Sequence, residues 1–131
     1  MRHLLILLSI SILTACSTAP TTNFSVATNY RPNQSAYDLG FNIVKQKYYT
    51  VPQVAQTEYN SCVDFALRNM QVGEQCKWEV PGNSIGIVKL VQIDATGCHT
   101  MFNTMMYRGK QKNWQETACY DGSLKQWKFI E

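Results

Sequence analysis

With 12 Lys and Arg against 9 Asp and Glu in 131 residues, the chain has a formal charge of +3, too mild a balance to mark a nucleic-acid binder or a protein drawn to anionic lipid by charge. The length allows one domain of ordinary size. Five cysteines and two histidines point to disulfide chemistry more than to a metal centre.

The chain opens with a short polar start, Arg2 and His3. An apolar core follows from Leu4 to Leu13, broken only by Ser9 and Ser11, and the small pair Thr14-Ala15 leads into Cys16. The run is shorter than the roughly 20 apolar residues of a membrane-spanning helix and reads as a signal peptide over 1–15. Thr14-Ala15-Cys16 resembles the lipobox of bacterial lipoproteins, which implies a diacylglyceryl thioether on Cys16 and an acylated amine. Covalent lipid is then the anchor and the only non-protein group expected, with outer-membrane lipid as its partner. Three acyl chains, at about 0.8 kcal/mol per buried CH₂, hold far more firmly than one. The competing reading is an ordinary secretory signal with an incidental cysteine; the length, the polar start and the small residues favour the lipoprotein. Ser17 stands where inner-membrane lipoproteins carry Asp, and by the same resemblance favours the outer membrane. Removing residues 1–15 from 131 leaves 116, and the loss of Arg2 with no acid lowers the formal charge from +3 to +2.

Residues 16–49 read as a lipidated cysteine followed by a flexible tether. Ser17 to Ser35 is rich in Ser, Thr, Asn and Pro and has too little apolar surface to offset its ordering entropy. Within this stretch Tyr37, Phe41, Val44 and Tyr48 share a helical face, with Ser35 and Asp38 as a cap, which predicts a short helix over 36–47; Gly40 interrupts it.

The folded domain is expected over 50–131. Ala55, Tyr59, Cys62, Val63, Ala66, Leu67 and Met70 recur at the spacing of one helical face. This helix starts near Thr50, with Gln53 completing a capping box, and ends at Gly73. Five strands follow: Glu74 to Val80, Ile85 to Ile93, Cys98 to Tyr107, Gln111 to Tyr120 and Leu124 to Ile130. They are separated by Pro81-Gly82-Asn83, Asp94-Ala95-Thr96-Gly97, Arg108-Gly109 and Asp121-Gly122-Ser123, each short enough to join neighbouring antiparallel strands. The predicted fold is α+β, with one or two N-terminal helices packed on an antiparallel meander of four to five strands. In the second strand Ile85, Ile87, Val91 and Ile93 are expected to face the core, with Lys89 as the exception.

Cys16 is assigned to lipid, which leaves Cys62, Cys76, Cys98 and Cys119 in a compartment that permits disulfides. They are spread singly along the chain, without the close C-x-x-C pairs of a zinc site, and His99 is the only histidine after the signal peptide; no metal is expected. If Arg108-Gly109 is a two-residue hairpin loop, positions paired across it sum to 217, as 98 and 119 do. Cys98 and Cys119 then lie opposite each other at a non-hydrogen-bonded site, where Cα atoms approach to about 4.5 Å, a separation that fits a disulfide. Cys62 and Cys76 remain, tying the helix to the first strand.

The order Gly73, Trp78, Pro81-Gly82-Asn83-Ser84-Ile85-Gly86, Gly97-Cys98, Gly109, Thr117-Ala118-Cys119, Asp121-Gly122 and Trp127 resembles the C-terminal domain of the bacterial 17-kDa surface-antigen lipoproteins. The resemblance covers about residues 60 to 130, and its most distinctive part is T-A-C-x-D-G with the tryptophan after it. It implies an outer-membrane lipoprotein and brings no catalytic residues. The glycine zipper carried by many members is missing, since Ser17 to Thr50 contains only Gly40.

No enzymatic constellation emerges. His99 is the one candidate base for a nucleophile and adjoins a disulfide cysteine. The acids Asp64, Glu74, Glu79, Asp94, Glu116 and Asp121 follow no motif. Trp78, Trp114 and Trp127 have two readings, as core packing or as an exposed aromatic patch. The expected function is non-catalytic: a structural or protein-interaction component of the cell envelope, docking on an envelope complex through a sheet edge or through Trp114, Met101, Met105 and Met106. The alternative is a surface-exposed binding module, a host-enzyme inhibitor or glycan binder, using the loops at Pro81 to Ile85 and Asp121 to Ser123.

Overall fold

A computed structural model of the chain describes residues 23–25 and 51–130. The elements are β1 (Asn23–Ser25), α1 (Gln53–Asn69), β2 (Gln75–Val80), β3 (Ser84–Ile93), β4 (His99–Tyr107), β5 (Lys110–Asp121) and β6 (Gln126–Ile130). The strands form one sheet in sequence order, with β1 parallel to β2 and every other pair antiparallel. The fold is α+β as expected, but the sheet has six strands of mixed direction instead of four or five antiparallel ones. The helix expected over 36–47 lies outside the described residues, as do Cys16 and the signal peptide.

The extra strand comes from the stretch expected to be a tether. Asn23, Phe24 and Ser25 align with Gln75, Cys76 and Lys77. Phe24 turns to the helix side, where its ring lies 5.3 Å from that of Phe65, and Gln75 Nε2 donates to Asn23 Oδ1. One aromatic side chain and a short backbone ladder hold a segment whose composition otherwise favours solvent.

Every residue of the predicted apolar stripe is buried, Ala55 to Leu67 on helix α1 and Met70 just past its end. Its start differs from expectation: Pro52 is the N-cap and makes no side-chain cap bond, while Gln53 is the first helical residue, too early to serve as the third residue of a capping box. Gln56 Nε2 instead donates to Val51 O at 2.7 Å. The helix stops at Asn69, and Met70 is already extended. Gly73 acts three residues later: with φ +95° it turns the chain into the sheet, and its N–H donates to Leu90 O at 2.8 Å.

The face of β3 is the reverse of the expected one. Ser84, Gly86, Val88 and Leu90 point to the helix, while Ile85 and Ile87 lie on the opposite face and Val91 and Ile93 are exposed. Two features cause this. Gly86 leaves room for the Trp78 indole, which occupies the space a Cβ would need. A bulge at Val91, between the pairs Leu90↔Met101 and Gln92↔Thr100, then shifts the alternation. The core lies between α1 and the Cys76, Trp78, Val88, Leu90, Met101, Met105, Trp114 and Ala118 side of the sheet.

Candidate functional site

The hairpin register follows the two-residue loop. Arg108 and Gly109 both have positive φ, as a type I′ turn requires, and Tyr107 pairs with Lys110. The register runs on to His99↔Ala118, and one step further Cys98 and Cys119 are bonded with their Cα atoms 4.2 Å apart. Cys62 and Cys76 form the second disulfide, at 5.5 Å between Cα atoms, and join α1 to β2. Both sulfurs of the Cys62–Cys76 pair lie in the core, whereas Cys98 and Cys119 are half-buried.

Trp114, Met101 and Met105 do not form a surface. They are 7%, 0% and 2% exposed, because their positions on β4 and β5 alternate toward α1, and their role is packing. Trp114 lies 5.5 Å from the Tyr59 ring, and Trp78 meets Tyr59 edge-on at 6.4 Å. Between these rings Tyr59 Oη donates to Glu116 Oε1, and Asn103 Nδ2 donates to the same oxygen at 3.2 Å. The carboxyl of Glu116, enclosed in the core, is thus met at Oε1 by two side-chain donors, as burial of a polar group demands. Of the three tryptophans, Trp78 and Trp114 are core and Trp127 is half-buried.

The face opposite the helix is the exposed one. Across it, Lys77, Ile87, Thr104 and Asn113 form one row, Gln75, Lys89, Phe102 and Gln115 the next, and Glu79, Ile85, Met106 and Gln111 a third. A shallow concavity of about 460 Å³ is lined by Asn23, Lys77, Ile85, Ile87, Thr104 and Met106. It continues through Ile85 and Met106 into a second of about 300 Å³, bordered by Glu79, Asn83 and Arg108. Met106 and Phe102 are 45% and 40% exposed. Of the side chains expected to meet a partner, only Met106 is here. Ile85 and Ile87, expected in the core, lie here with Phe102, and the sequence sign that this face meets water is Lys89, which shares it with the two isoleucines.

One end of the sheet is built on two aspartate turns. Asp94 Oδ1 accepts from Thr96 N, Thr96 Oγ1 and Cys98 N at 2.8, 2.6 and 3.0 Å. Asp121 Oδ1 accepts from Ser123 N, Ser123 Oγ and Leu124 N at 3.0, 2.6 and 3.1 Å, and Lys128 Nζ lies 2.9 Å from Oδ2. The Thr96 hydroxyl, with the Cys98 amide, holds the Asp94 carboxyl below the usual aspartate range; the Ser123 hydroxyl, with Lys128, holds Asp121 well below it. His99 packs 4.6 Å from the Trp127 ring, and burial lowers its pKa while Asp94 opposes the shift. His99 is therefore a half-buried packing residue. Among the described residues no group of three or more His, Cys, Asp or Glu is placed to hold a metal ion.

No protein-family model, no curated protein and no solved structure matches the chain.

Proposed function

We propose that the chain is a lipid-anchored outer-membrane protein whose disulfide-stabilised domain serves as a non-catalytic, protein-interacting component of the cell envelope. The leader and Cys16 supply the address. Two disulfides in the folded domain accord with an oxidising compartment, where such bonds persist. The observation that carries the interaction reading is the sheet face away from α1. It offers Ile85, Ile87, Phe102 and Met106 beside Lys77 and Lys89, a partly apolar surface with cations along one side. The partner that suits this face is a protein segment carrying apolar side chains and carboxylates, the former for the concavity and the latter for the two lysines.

Photo-crosslinkers placed at Phe102 and at Met106 in living cells test the reading, with a third at Val54, an exposed residue of α1, as the control. One envelope protein captured from both sheet positions and not from Val54 supports it. Capture of lipid and abundant bystanders alone overturns it and favours the surface-exposed binding module. Separately, a Cys16→Ala chain that still fractionates with the outer membrane overturns the lipid anchor.

A further inference from the structure

We infer that the end of the domain carrying the β3–β4 and β5–β6 loops rests on the lipid surface, held there by a short leash. The inference rests on the lipidation of Cys16. Because β1 runs parallel to β2 and Asn23 aligns with Gln75, the first residue of β2, the chain enters the sheet from the end where β2 begins, β3 finishes and β4 starts. Only seven Cα steps separate Cys16 from Asn23, so Asn23 lies at most about 25 Å from the lipidated residue. From Lys89, which pairs with Gln75, β3 runs on to Ile93, about 13 Å further toward the same end. With that end directed at the membrane, a fully stretched leash leaves it no more than about 12 Å from the surface.

The chemistry of that end agrees with its position. Val72, Val91, Ile93, Tyr120 and Leu124 are all exposed there, Tyr120 and Leu124 by 54% and 55%. Tyr120 stacks edge-on against Trp127 at 5.5 Å, and amphipathic rings of this kind favour the boundary between headgroups and acyl chains. Five of the nine large hydrophobic residues exposed among the described residues fall at this one end, on elements that are separate in sequence. Asp94 and Asp121 accept bonds from their own loops, Lys128 is paired with Asp121, and Lys125 of the β5–β6 loop is exposed beside Leu124. The contact is chiefly apolar and interfacial, one in which buried apolar area sets most of the strength. No helix among the described residues is long and apolar enough to cross a membrane. The sheet then stands upright, with the face of Ile87 and Met106 open to the side.

The test uses the full lipidated chain, extracted from bacterial membranes and reconstituted into vesicles of phosphatidylethanolamine and phosphatidylglycerol with brominated acyl chains. Leu124→Trp and Tyr120→Trp each add an indole at the inferred contact, and Met106→Trp adds one at the far end. The added emission is obtained by subtraction of the parent protein. At least a twofold loss of it is expected at positions 124 and 120, with no loss at 106. A protein that floats with the vesicles but is quenched at none of the three positions, or equally at all, overturns the seating and leaves the anchor standing. A protein that does not float, and whose N-terminal peptide has the mass of an unmodified cysteine, overturns the anchor and the seating with it.

Discussion

The two faces of the sheet are made from similar residues and do different work. Met101, Met105 and Trp114 are enclosed beneath α1, while Met106 and Phe102, neighbours on the same strand, meet solvent. Alternation along a strand decides between these fates, because successive side chains point to opposite faces; residue type alone does not. The enclosed face also carries the polar group that is costliest to misplace, Glu116 with its donors Tyr59 and Asn103, whereas the open face carries lysines and threonines, such as the Thr100–Thr117 pair at 2.9 Å.

The difference is broken most severely from the enclosed side. Trp114→Ala should cost about 3 to 5 kcal/mol, as removal of a buried aromatic does, and urea unfolding measures it; a loss below 1 kcal/mol would show that the indole is not packed as described. Replacing Cys62 and Cys76 together with Ala should cost about 3 kcal/mol. The same bond offers a kinetic contrast. With dithiothreitol and a maleimide under native conditions, the half-buried Cys98–Cys119 pair should label first, and Cys62 and Cys76 only as the domain unfolds. Simultaneous labelling of all four would erase the distinction. Gly86→Ala should destabilise by about 1 to 3 kcal/mol, since the new methyl meets the Trp78 ring and overpacks it.

Acid should act more gently, through the turns. Asp94 and Asp121 have folded-state pKa values below the unfolded one of about 3.9, so the unfolded chain binds more protons at low pH. Their contribution is present above about pH 4 and is lost as the pH falls through the folded values. Asp94→Asn with Asp121→Asn should flatten thermal stability against pH below about pH 4, and an unchanged slope would assign the acid sensitivity to other carboxylates. The smallest effect is expected on the open face: Phe102→Ser should change stability by no more than about 0.5 kcal/mol while abolishing crosslinking from Met106. A large loss of stability would move Phe102 into the structural core of the fold.

Much of this was legible in the sequence. The helical stripe from Ala55 to Met70 carries its own periodicity, and the glycine at 109 fixes a two-residue loop from which the Cys98–Cys119 pairing follows by counting. The five later strands fall within two residues of their predicted ends, since the turn residues between them act locally. β1 has no signature of its own because three residues of a Ser-, Thr- and Asn-rich stretch have no period, and what marks them is distant: Phe65, 41 positions from Phe24, and the β2 strand that begins at Gln75. The orientation of β3 runs against its sequence pattern, because its isoleucines outnumber the apolar residues that face the helix. The deciding partner, Trp78, lies on another strand and requires a residue without a side chain at position 86. Burial of Trp114, Met101 and Met105 needed the position of α1, which the pattern of a single strand does not contain.

The two disulfides follow one another along the chain without overlapping: 62 with 76, then 98 with 119. For a chain delivered from its N-terminus into an oxidising compartment, Cys62 and Cys98 each meet the native partner as the next cysteine to emerge. Oxidation in order of arrival would give the native connectivity directly, since neither loop closes across the other.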